Sequence, residues 1–129
     1  MTQMKTVRTA ELIGAALDWA VGIAVGEHIT RIVGDHPHVL INGQIAGRYL
    51  PSTDWSQGGA LLDQHCKGFG LIQDGKATTW RAFGYSRHAF DSERLQRMAS
   101  GTSILVAACR AIVAANLGDA VQIPAELLP

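Results

Sequence analysis

The side chains best suited to chemistry cluster in Tyr49-Leu-Pro-Ser-Thr-Asp-Trp-Ser-Gln-Gly-Gly59. A ring, several hydroxyls, a carboxylate, an amide and a glycine pair can together stack on a flat ligand and hydrogen-bond its edge. In that reading Trp55 stacks a base or ring, and Gln57 or Asp54 reads its polar rim. Gly58 and Gly59, running into a short helix, offer backbone N–H groups to an anion. Arg48 and Tyr49 flank the segment. Arg81, next to Trp80 on a predicted strand, points away from the Trp80 face beside Thr79 and Phe83, where it could grip a phosphate or carboxylate. A structural reading competes with this one. Ser52 or Thr53 caps a turn, Asp54 bonds amides two residues on, and Trp55 anchors the loop on the core. No Gly-x-Gly-x-x-Gly unit or Walker lysine supports the glycines as a phosphate loop.

Other chemistries find less support. The five histidines show no His-x-x-x-His spacing and no Cys-x-x-Cys accompanies them, so neither a metal nor a cofactor is expected. His36, His38, His65 and Cys66 would have to converge in space to change that. No Gly-x-Ser-x-Gly elbow is present. A Ser52–Asp54–His65 or Cys66–His88 grouping is no more than any chain with five histidines permits, and Asp54 and Asp63 carry no sign of a paired acid and base. No catalytic residue is assigned. Asp18-Trp19 lies inside a predicted helix, with Trp19 near the apolar stripe and Asp18 toward water.

These groups need a scaffold. The chain has 129 residues, 47% of them hydrophobic and 17% charged, with zero net charge. It reads as one domain over 1–129, with flexible tails at 1–8 and 124–129. Neutral charge argues against coating duplex nucleic acid, and it removes one barrier to self-association, so a homo-oligomer is expected. The apolar runs at 12–25 and 104–117 fall short of the roughly 20 residues a membrane span needs. Two cysteines without metal spacing fit a reducing cytoplasm.

The elements follow from periodicity. Thr9 caps a first helix whose stripe is Leu12, Ile13, Ala16, Leu17, Ala20, Ile23 and Ala24, with Gly26 as its stop. Residues 29–48 read as strands, with a hairpin at Asn42-Gly43. Residues 60–65 form a short helix. Residues 70–72 and 77–83 form a hairpin about Gln73-Asp-Gly75. The stretch 85–98 is a charged excursion with a helical cue at 91–98. Thr102 or Ser103 then caps a second long helix with Leu105, Ala108, Ile112 and Ala115 on its face, ended by Gly118. The predicted fold class is α+β: a mainly antiparallel sheet with two main helices packed on one face.

Three blocks carry a family resemblance: Val7-Arg-Thr-Ala-Glu-Leu-Ile-Gly-Ala-Ala-Leu-Asp-Trp-Ala-Val21, the 49–59 segment, and 104–124 with Asn-Leu-Gly-Asp at 116–119. Together they resemble the NinX-like proteins of tailed bacteriophages and prophages, a domain family of unassigned function. Ala60 departs from the proline that often follows the glycine pair there. The resemblance implies a phage accessory protein acting in the cytoplasm of an infected bacterium. With the loop chemistry, it leads to a non-enzymatic protein that sequesters a small anionic or nucleotide-like ligand, such as a host anti-phage defence signal. The alternatives are an inhibitor or adaptor of a host protein, with Tyr49, Trp55 and Tyr85 as anchors, and a small nucleotide hydrolase.

Overall fold

The computed structural model describes residues 3–27, 31–33, 36–41, 44–86 and 96–129. The described elements are β1 (Met4–Arg8), α1 (Gly14–Val25), β2 (Arg31–Val33), β3 (His36–Ile41), β4 (Gln44–Arg48), α2 (Trp55–His65), β5 (Cys66–Asp74), β6 (Ala77–Tyr85), β7 (Gln96–Gly101), α3 (Ile104–Leu117) and β8 (Ala120–Pro124). Every pairing among them is antiparallel, and the strands form three small sheets: β1-β8, β2-β3-β4 and β5-β6-β7. The α+β class holds. The layering differs from the expected one.

Helix α3 is the centre of the molecule. Its N-cap Ser103 accepts a hydrogen bond from the Val106 amide at 3.1 Å, and Gly118 ends it at a positive φ of 96°. Alanine dominates its sequence, and it is buried on nearly all sides. One side lies on β6 and β7, where Ala82 meets Ala107, Ala108 and Ala111. The approach is close enough that a Cβ on Gly84 would stand 2.6 Å from the Ala111 carbonyl carbon, and one on Gly101 would stand 2.7 Å from the Ala107 amide nitrogen. The other side of α3 packs on α1, in a core that joins Cys109 and Val113 to Leu17, Val21, Val121 and Ile123. One long helix therefore lies between a sheet and α1, and the expected packing of the two main helices side by side on one sheet face is not confirmed.

Several local expectations are corrected by tertiary contacts. Thr9 does not cap α1: it sits in a short 3-10 turn, and its hydroxyl donates to the Gly118 carbonyl at 2.7 Å. Helix α1 instead begins at Gly14, whose φ of 62° needs a glycine, and ends at left-handed Gly26 as expected. Where the sequence suggests tails, β1 and β8 pair over their whole lengths and Leu127 is buried. Helix α2 starts at Trp55, well before residue 60. Gln96, Arg97 and Met98 belong to strand β7, which the sequence reading missed, because a polar edge strand has no periodicity to betray it. The hairpin of β5 and β6 stands as read, with Trp80 packed against the α3 alanines and Arg81 on the opposite face. The Asn42-Gly43 turn, His28, His88, and the part of the 91–98 cue before Gln96 lie outside the described residues.

Candidate functional site

The 49–59 segment is mostly a structural joint. Asp54 is the N-cap of α2, and its carboxylate accepts from the Ser56 amide at 2.9 Å and the Ser56 hydroxyl at 2.7 Å. Gln57 closes the turn: its Oε1 accepts from the Leu50 amide at 2.7 Å, and its Nε2 donates to the Arg48 carbonyl at 3.1 Å. Gln57 is thereby held at both ends of its amide, and Asp54 through one carboxylate oxygen. The Gly58 amide donates to the Asp54 carbonyl at 2.8 Å, so it is closed to an anion. Gly58 is needed for contact, because a Cβ there would fall 2.1 Å from the Pro51 carbonyl oxygen and 2.8 Å from Leu105 Cδ2. Gly59 lies inside α2, half-buried.

The joint is pinned from below by Asp18, which is 2% exposed rather than facing water. One oxygen of its carboxylate accepts from the Ser52 amide at 2.8 Å. Burial pushes the carboxyl up to about 6, opposed by the Ser52 hydroxyl, then the Ser52 amide, then the His36 ring. The Ser52 hydroxyl itself has no hydrogen bond of good geometry, but it lies near enough to favour the charged form. Tyr49 is 6% exposed and belongs to the main core. Burial raises its phenol above the ordinary range, with Glu27, Cys109 and Asp18 adding to the effect. It is therefore no surface anchor, and it cannot form one aromatic patch with Trp55 and Tyr85. Arg48 is exposed at the end of β4, and Arg81 is half-buried on the sheet face away from α3, with its Nε unpaired.

Ser52, Thr53 and Trp55 do come together. They line a groove of about 420 Å³ with Ile13, Gly14, Thr102, Ser103, Leu105 and Val106. Those residues are the first turns of all three long helices: Ile13 and Gly14 open α1, Trp55 opens α2, and Ser103 to Val106 open α3. A helix start carries roughly half a positive charge from its unpaired amides, which the Asp54 carboxylate offsets at α2 and the Ser103 hydroxyl partly satisfies at α3. No side chain caps α1, whose N-cap is Ile13. Trp55 is 58% exposed at this groove and Ile13 55%. None of the lining residues is titratable. The arrangement can hold an apolar or aromatic group against Trp55 and favour negative charge beside it. The α1 and α3 contributions were missed in the sequence, because nothing local says that starts lying tens of residues apart will meet. The Ser103 cap was the one readable signal.

Arg48, Tyr49, Asp54, Gln57, Gly58, Gly59 and Arg81 do not line this groove. Among the described residues, no group of three or more His, Cys, Asp or Glu side chains could hold a metal ion, and no helix is long and apolar enough to cross a membrane. Cys109 is a buried core residue with a thiol pushed above the ordinary range, first by burial and then by Asp18 and Cys66. A family described as "Bacteriophage P22, NinX" matches residues 8–116. A comparison with curated proteins finds no match.

Proposed function

Because the chain belongs to the NinX family of bacteriophage proteins, we propose that it is a phage accessory protein that binds and sequesters a small anionic, nucleotide-like ligand in the Trp55 groove. The observation that carries this reading is the meeting of three helix N-termini beside an exposed tryptophan. The amides of α1, which no side chain caps, favour the negative group, and the indole gives a base or ring a surface to stack on. A groove without titratable side chains suits holding a ligand better than cleaving it. A host signalling nucleotide used in anti-phage defence is one member of this ligand class. Zero net charge is compatible with self-association, and a phage accessory role points to the cytoplasm of the infected bacterium.

A thermal-shift panel of linear and cyclic nucleotides, followed by chromatography of each mixture, tests the proposal. A bound nucleotide should raise the melting temperature and be recovered intact. Trp55→Ala should weaken it by roughly 1–3 kcal/mol, about 5- to 150-fold in Kd. Undiminished binding by that variant would remove the groove from the account, and a consumed nucleotide would make the protein a hydrolase. A second reading is supported by Ile13 and Trp55, two large apolar side chains exposed on one groove. In it the same surface anchors a host protein. Silence across the nucleotide panel, with a host protein whose capture is lost in Trp55→Ala, would favour it.

A further inference from the structure

A larger cleft of about 560 Å³ lies on the far side of Thr102, which lines both spaces. Its walls bring Arg110 of α3 together with Arg8 at the end of β1, although the two are far apart in sequence. Arg110 is fixed in place: its Nε donates to the Leu12 carbonyl at 2.8 Å and one Nη to the Ser100 carbonyl at 3.0 Å. A guanidinium has five N–H donors, so three are left without a hydrogen bond to any described residue. Both acceptors are neutral carbonyls. No carboxylate among the described residues forms an ion pair with Arg110 or Arg8, although Asp119 is on the same wall. Burial acts against the Arg110 charge and lowers its pKa. Arg110 is thus a half-buried, immobilised cation that has no counterion among the described residues and keeps donors to spare.

We infer that this cleft is an oxyanion site, in which Arg110 and Arg8 hold the carboxylate or phosphate of a small organic molecule. The remaining N–H donors of the Arg110 guanidinium can hydrogen-bond such a group with the help of its charge. Arg8 adds the second charge, and the Ser100 and Thr102 hydroxyls are within the same walls. Asp119 leaves a net single positive charge and disfavours a polyanion. Ala10, Met98 and Ala114 supply apolar wall for the remainder of the molecule, and the volume falls in the range of small-molecule pockets. The inference stands or falls separately from the Trp55 groove.

Calorimetry on the full chain with inorganic phosphate, glycerol phosphate and succinate, at ionic strength fixed with NaCl, tests it. The wild type should bind at least one of these probes, and which one it prefers assigns phosphate or carboxylate. Arg8→Gln, which removes no described hydrogen bond, should weaken that probe about tenfold. Arg110→Gln should abolish binding in protein that still shows a cooperative melt, and Trp55→Ala should bind normally. Should Arg110→Gln fail to fold, Arg8→Gln decides alone. The site is refuted if no probe binds beyond the NaCl control, if Arg8→Gln binds like the wild type, or if Trp55→Ala abolishes binding.

Discussion

A carboxylate placed inside α1 would ordinarily turn to water, yet Asp18 is buried and spends one oxygen on the Ser52 amide. That bond holds the turn leading into α2, and with it the position of Trp55. Its cost appears in protonation. The folded pKa is about 6 against an ordinary 3.8, so between those values the folded state binds more protons than the unfolded one. Asp18 therefore adds stability as pH falls through 6 and withholds it at neutral pH. Asp18→Asn keeps an acceptor for the Ser52 amide without the charge. Its stability relative to wild type should rise by up to about 3 kcal/mol between about pH 4 and pH 7, as read from denaturant unfolding at both values. A difference that does not change with pH would show that Asp18 titrates normally. Asp18→Leu instead orphans the Ser52 amide and should be about 1–3 kcal/mol less stable than Asp18→Asn at either pH.

At the scale of the element, α2 shows why a glycine pair is a poor guide to a binding loop. Gly58 and Gly59 are neighbours in one helix but have opposite reasons to be there. The first faces the Pro51 carbonyl and Leu105 at distances no Cβ can occupy, whereas the second has only Trp55 Cε3 at 3.6 Å. Gly58→Ala should lose roughly 1–3 kcal/mol by forcing α2 away from α3. Gly59→Ala should be neutral or gain up to about 1 kcal/mol, because alanine is the better helix former. Equal effects in denaturant melts would contradict the packing account. Ser103→Ala, which removes the cap of α3, should cost about 1 kcal/mol, and it acts on an element that touches every layer.

Across the whole molecule, stability depends on how closely α3 can lie on β6 and β7. A Cβ at Gly84 would meet the backbone of Ala111 and Ile112, which cannot rotate away like a side chain. Gly84→Ala should therefore cost about 3 kcal/mol and lower the melting temperature, because shifting α3 also disturbs its contact with α1. Gly70→Ala, with nothing within 4 Å of its Cβ, should stay within about 0.5 kcal/mol of wild type. The same central helix explains which features were legible in the chain. The bodies of α1 and α3, the Gly26 and Gly118 stops, the Ser103 cap, the β5–β6 hairpin and the opposed faces of Trp80 and Arg81 follow from periodicity and turn chemistry within a few residues. Other features depend on partners tens of residues away: the pairing of β1 with β8, the hydroxyl of Thr9 on Gly118, the burial of Tyr49 and Asp18, and the engagement of Gln57 by Leu50 and Arg48. The candidate site divides in the same way. Trp55 and its hydroxyl neighbours could be singled out by residue type. The meeting of three helix starts around them, and of Arg8 with Arg110 across Thr102, came only from tertiary structure, because helix packing sets where distant ends converge and local sequence does not encode it.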